Sequence, residues 1–187
     1  LALSEIVKLS EKGDPVYRIV LKAWALSGLS RHREAIQLIE GLPEYARDLP
    51  AVAIIKAEFA AGLDDVRTVA ENCIKASRGY MFVDRVRMLF PYLAAREQWD
   101  VIARCKSPAP FKELQCALAA LHACLKVDDI ASAMEILNGG MAKWPDETCW
   151  LEYIAMMTTV RDDSKLEKMF SEKLKKDIGR MSVDALS

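Results

Sequence analysis

The chain has 187 residues, of which 52% are hydrophobic, so it can form one compact domain or a short repeat array with a substantial core. Its 26 Lys and Arg residues nearly balance its 27 Asp and Glu residues, and the formal net charge of −1 argues against general binding to nucleic acid or to an anionic membrane. The longest uncharged apolar stretches, such as 116–125, are shorter than the roughly 20 residues that cross a bilayer, so we expect no membrane span.

Only 8 Gly and 7 Pro interrupt the chain, and between these breaks apolar residues recur at helical spacing. This pattern predicts an all-α protein of about eleven short helices, whose short connections make successive helices antiparallel neighbours. A first partial helix is indicated by Ile6, Val7 and Leu9. The later helices are predicted at 16–27, 31–40, 49–61, 65–76, 80–96, 98–105, 111–126, 129–142, 147–160 and 164–178.

Pairs of acidic residues stand at the start of three predicted helices, at 64–65, 128–129 and 162–163. A carboxylate there can accept a hydrogen bond from a free backbone N–H and complement the positive end of the helix dipole. We therefore interpret these pairs as helix caps and not as ligands for a divalent ion.

The predicted helices also repeat in pairs. Aligning the second helix of each pair brings four residues into register at intervals of 34, 33 and 31 residues: Ala35, Val69, Ile102 and Ala133. The first helices align in the same way through Ala23, Ala57, Phe90 and Leu121. A fixed period of this length is typical of helical-repeat proteins.

The best repeat units are 19–42 and 117–145, each with small residues on the first helix, a short turn, and small or apolar residues on the second. These units resemble the tetratricopeptide repeat family. The resemblance implies an α-solenoid, or superhelix, of antiparallel helix-turn-helix repeats that forms a single domain over 1–187. We expect a partial repeat at 1–14, about four repeats at 15–145 and a C-terminal pair with a capping helix at 146–187. The partial first repeat predicts that the chain is a fragment of a longer protein.

In tetratricopeptide stacks the first helices line a concave groove that binds a peptide or helix of a partner. The resemblance assigns to this groove Tyr17, Val20, Trp24, Ile54, Glu58, Arg87, Gln115 and His122. Aromatic residues dominate interface energetics, so Tyr17 and Trp24 are the expected anchors. Val20 and Trp24 stand where the family's carboxylate-binding members carry Lys and Asn, so we do not expect that mode. Another part of the parent chain or a second copy of the protein are alternative occupants.

Groups for catalysis are scarce. The only histidines are His32, predicted as a solvated surface residue, and His122, and no phosphate-binding loop or nucleophile motif occurs. We expect no catalytic residue, no metal and no cofactor. The five cysteines include no CxxC pair and lie among apolar neighbours, which favours buried, reduced thiols and a cytoplasmic location.

These observations favour a non-catalytic interaction or scaffold module. Two alternatives remain: an accessory domain or subunit of a larger enzyme or assembly, and a helical-repeat RNA binder of the pentatricopeptide kind. The similar repeat period supports the RNA binder, whereas the neutral charge and uneven repeats oppose it.

Overall fold

The computed structural model describes residues 15–106, 110–160, 168, 171–173 and 175. In this part of the chain all regular secondary structure is helical, which confirms the all-α prediction. The predicted partial helix at 1–14, the acidic pair at 162–163 and most of the helix at 164–178 lie outside the described residues.

Eleven α-helices and one 3₁₀ turn are bounded in the described residues. They are α1 (Pro15–Gly28), α2 (His32–Glu40), α3 (Glu44–Arg47), α4 (Pro50–Ala61), α5 (Val66–Ala76), the 3₁₀ turn (Tyr80–Phe82), α6 (Val83–Met88), α7 (Phe90–Ala94), α8 (Trp99–Cys105), α9 (Leu114–Lys126), α10 (Ile130–Lys143) and α11 (Cys149–Val160). Several predicted starts fall one residue early because they mark the N-cap, as at Arg31, Asp65 and Asp129.

The helix predicted at 80–96 is instead divided into the 3₁₀ turn, α6 and α7. Pro91 explains the break between α6 and α7, because proline has no N–H to donate and its ring clashes with the carbonyl four residues earlier. Leu89, between the two helices, has φ −88° and ψ −6°, and its N–H donates to Val86 in a tighter turn. The four-residue helix α3 was not predicted.

The chain divides into two compact units, Leu1–Ala123 and Cys124–Ser187. In the first unit, α1 packs against α2, α2 against α4, and α4 against α5, while α8 contacts both α5 and α7. In the second unit, α10 packs against α11. The single repeat domain over 1–187 stays a prediction.

The residues aligned by the repeat register face inward. Eight aligned positions have no exposed surface: Ala23, Ala35, Ala57, Val69, Phe90, Ile102, Leu121 and Ala133. Small residues at such positions let helix backbones approach closely. The repeat alignment therefore identifies the packed face of each helix correctly.

Four helix-to-helix turns share one backbone geometry. Each contains one residue with a positive φ between 57° and 61°, immediately before the N-cap of the next helix: Ser30, Asp64, Glu97 and Asp128. The N–H of the following residue donates to a carbonyl five residues earlier, as from Arg31 to Leu26 at 2.9 Å and from Asp129 to Cys124 at 2.8 Å. This is the Schellman ending of a helix. These turns recur at the intervals of 34, 33 and 31 residues found in the sequence.

Candidate functional site

One face of α1 presents two large aromatic side chains to solvent. Tyr17 is 61% exposed and Trp24 is 53% exposed, and their spacing of seven residues places them two turns apart on the same face. Val20 lies between them and is half-buried. The opposite face carries Ala23 and Leu26, which are buried. Three members of the predicted groove therefore share one face of α1.

The structure revises the prediction for Ile54, which is fully buried and offers no surface to a partner. The reason lies in the composition of α4, in which seven of twelve residues are buried on all sides of the helix. A helix that is apolar all round belongs in a core. Here α4 lies against α1, α2, α3 and α5, and Ile54 is on a side of α4 that has no exposed surface.

Arg87 also differs from the prediction, because its side chain is only 2% exposed. Its guanidinium donates to the Pro110 carbonyl at 3.0 Å and lies 4.0 Å from the centre of the Phe111 ring. Asp84, one turn away, stands 3.9 Å from the same guanidinium. Burial lowers the pKa of Arg87 from its usual value, although the neighbouring carboxylate opposes this shift. Through these contacts Arg87, on α6, binds the segment that precedes α9.

The three remaining polar members of the predicted groove have different environments. Glu58 accepts a hydrogen bond from Arg85 at 2.9 Å, so its carboxylate links α4 to α6. His122 is half-buried beside the Trp99 ring, with ring centres 4.7 Å apart. Gln115 is exposed near the start of α9.

His32 was predicted as a solvated surface residue, and the structure corrects this. The ring is half-buried, with Nδ1 2.8 Å from the Ser27 hydroxyl, and it lies against the backbone of Gly62. No group of three or more His, Cys, Asp or Glu side chains within the described ranges could hold a metal ion.

No disulfide joins any two of the five cysteines. Burial raises the pKa of Cys105 to about 11, although a hydrogen bond with Ser77 opposes the shift, and burial raises the pKa of Cys73 further. Thiols with raised pKa values form little nucleophilic thiolate near neutral pH. Their environment is therefore that of structural cysteines.

A polar cleft between α2, α3, α4 and α5 was not predicted. Its lining includes Asn72, a polar residue on the same face of α5 as the buried Val69 and Cys73. Asn72 is itself only 7% exposed. The sequence contained a signal for this cleft, because an amide on an otherwise apolar helix face needs polar partners. Four helix segments form the walls, and their proximity could not be read from the spacing.

Comparison with known proteins gives no match to a protein-family model, to a curated protein or to a solved structure. Among the helices of the described residues, none combines the length and the apolar character that crossing a membrane requires.

Proposed function

We propose that this chain is a non-catalytic protein-interaction module that binds a peptide or helix of a partner across the exposed face of α1. The observation that carries the proposal is the pair of exposed aromatic side chains, Tyr17 and Trp24, on a helix whose opposite face is packed. Exposed aromatic residues on a rigid element are typical anchors for a partner, because each buries a large area with few rotatable bonds.

We also propose that the helix pairs stack as a tetratricopeptide-like solenoid. The four Schellman turns and the fully buried aligned positions support this proposal, since both follow the same near-regular period. In such a stack each pair covers the apolar face of the next. The five cysteines form no disulfide and four of them are buried, which supports a reducing compartment such as the cytoplasm.

The test compares binding by the wild type and by a Tyr17→Ala/Trp24→Ala double variant. A partner captured by the wild type from native lysate is identified and purified, and its affinity for each variant is then measured. Loss of this aromatic anchor is expected to weaken binding by about 30-fold or more, because one anchor residue alone contributes about 2 kcal/mol or more.

A Tyr45→Ala/Tyr80→Ala double variant is the matched control. Both side chains are aromatic and highly exposed, at 72% and 78%, but neither belongs to α1. The proposal requires that this control bind like the wild type while circular dichroism shows equal helix content in all three proteins. Equal affinity for the α1 variant and the wild type would exclude α1 as the binding face.

A further inference from the structure

The cleft between α2, α3, α4 and α5 has a volume of about 240 Å³, and none of its lining residues belongs to α1. Its charged lining consists of three carboxylates and three cationic groups: Glu40, Glu44, Asp48, Arg47, Lys56 and Lys75. These formal charges cancel. A cleft that is neutral overall but carries both signs complements a ligand with the same property better than it complements a simple anion or cation.

Two of the three cations are already engaged by two of the three carboxylates. Lys56 lies 3.0 Å from Glu40, and Lys75 lies 2.8 Å from Asp48. The pKa of the Asp48 carboxyl is held below its usual value chiefly by the hydrogen bond from Lys75. These ion pairs join α2 to α4 and the end of α3 to α5, and they form two sides of the cleft.

The remaining pair, Glu44 and Arg47, lies on α3. In the described part of the chain neither side chain forms a hydrogen bond or ion pair. Residues three apart on a helix lie on the same side, with Cβ atoms roughly 5–6 Å apart. The cleft therefore presents one carboxylate and one guanidinium that lie close together and form no hydrogen bond or ion pair in that part.

Asn72 adds a hydrogen-bond acceptor to the lining of the cleft. Its Nδ2 donates to the Thr68 carbonyl at 2.8 Å, and this contact identifies which end of the amide is the nitrogen. No hydrogen bond from the described residues reaches Oδ1. Oδ1 is therefore available to accept a hydrogen bond from an N–H donor of a ligand or from water.

We propose that this cleft binds a free α-amino acid in its zwitterionic form. The carboxylate of the ligand pairs with Arg47, and its ammonium group pairs with Glu44 and donates to Oδ1 of Asn72. The volume of the cleft is large enough for a small ligand of this class. This proposal does not depend on partner binding by α1.

Glycine, L-alanine and L-valine are the probes, titrated into the whole chain in the millimolar range. Binding is followed by calorimetry and by the nuclear magnetic resonance signals of the Asn72 side-chain amide. At least one probe is expected to saturate and to shift those amide signals. N-acetyl-L-valine, which lacks the ammonium group, and L-valine methyl ester, which lacks the carboxylate, are expected to bind at least about tenfold more weakly.

Glu44→Gln and Arg47→Gln are the test variants, because both side chains are exposed and each substitution removes one charge. Each is expected to weaken binding by about tenfold or more. Arg33→Gln, at an exposed position of α2 outside the cleft, is the matched control and should bind like the wild type. Failure of all three amino acids to bind, or binding that both test variants leave unchanged, would overturn the proposal.

Discussion

Two glycines let an aromatic ring lie directly against a helix. A Cβ atom built on Gly62 would lie 2.6 Å from Nε2 of His32, and a Cβ atom on Gly140 would overlap Cη2 of Trp150 and lie 2.9 Å from its Cζ2. Such separations are shorter than any ordinary contact. Both glycines are therefore needed for this close approach, and Gly140 is a packing residue within α10.

Gly139 and Gly140 provide a matched pair of substitutions in the second unit. Gly140→Ala is expected to lower the free energy of unfolding by about 1–3 kcal/mol, because the fully buried Trp150 ring must move to accommodate the new methyl group. Gly139→Ala should instead raise it by about 0.5–1 kcal/mol, since that position is exposed, no atom lies within 4 Å, and alanine is the better helix former. Urea unfolding followed by circular dichroism measures both. Equal effects of the two substitutions would contradict the packing of Trp150 on Gly140.

The spacing of apolar residues identified the exposed face of α1. It did not show that other parts of the chain cover Ile54 and Arg87. Spacing tells which residues share a helix face, and Tyr17, Val20 and Trp24 were correctly grouped in this way. It does not tell which other helix covers that face. Ile54 is buried because neighbouring helices surround α4, and Arg87 is buried because Phe111, 24 residues further along the chain, lies against it.

At the scale of elements, the four Schellman turns join helices through residues that are not glycine. Ser30, Asp64, Glu97 and Asp128 each adopt a left-handed backbone, which costs an L-residue roughly 1–2 kcal/mol. Asp tolerates this conformation better than most residues, which helps to explain the two acidic positions. The predicted caps at Asp65 and Asp129 are confirmed, since their side chains accept from the N–H groups of Thr68 and Ser132.

Glu97 is the position where a glycine should stabilise the turn. Its side chain is exposed and makes no hydrogen bond or ion pair with the described residues, so Glu97→Gly removes backbone strain without removing such a contact. We expect the free energy of unfolding to rise by up to about 1 kcal/mol, after allowing for the greater entropy of glycine in the unfolded chain.

Ala95→Gly, two residues earlier, is the control because its φ of −61° is ordinary helical geometry. The free energy of unfolding of this variant should be lower than that of the wild type by about 0.5–1 kcal/mol. Thermal unfolding of both variants beside the wild type makes the comparison. If Glu97→Gly is destabilising to the same extent as the control, the left-handed conformation at residue 97 is absent in solution.

The segment 80–96, predicted as one helix, is divided in the structure. Apolar residues continue at helical spacing through the break, so periodicity alone favoured one long helix. Pro91 was a visible signal for a boundary, and the structure gives it that role. The short helix α3 carried no comparable signal, because one turn of helix is too short for a periodic pattern.

On the scale of the whole chain, the repeat register and helix composition were enough to predict the helical class and the packed faces. They could not predict the division into two units or the four-sided cleft, which depend on contacts between residues far apart in sequence. Three surface ion pairs in the first unit illustrate such contacts, since each joins residues 16 to 32 positions apart: Lys56–Glu40, Lys75–Asp48 and Arg96–Asp64.

One of these long-range contacts, the one made by Asp64, can be tested by measuring how the stability of the protein depends on pH. Its carboxylate accepts hydrogen bonds from Arg96 at 2.7 Å and from Tyr92 at 3.0 Å, and these hold its pKa below the usual value. A carboxyl group with a lowered pKa stabilises the fold above its unfolded pKa of about 3.9, and the contribution is lost as pH falls through the folded value. Asp48 behaves in the same way through Lys75. Stability should therefore fall as the pH is lowered from about 5 to 2.

Asp64→Asn should make this pH dependence shallower, because asparagine tolerates the left-handed backbone but does not titrate. Asp100→Asn is the control, since Asp100 is an exposed carboxylate of α8 with no ion-pair partner among the described residues. Urea midpoints are measured across the acidic range for the wild type and both variants. A slope for Asp64→Asn equal to that of the wild type would mean that the link between Asp64 and Arg96 does not form in solution. A shallower slope for Asp64→Asn alone would show that this contact, made across 32 residues of sequence, contributes to holding the helix pairs of the first unit together.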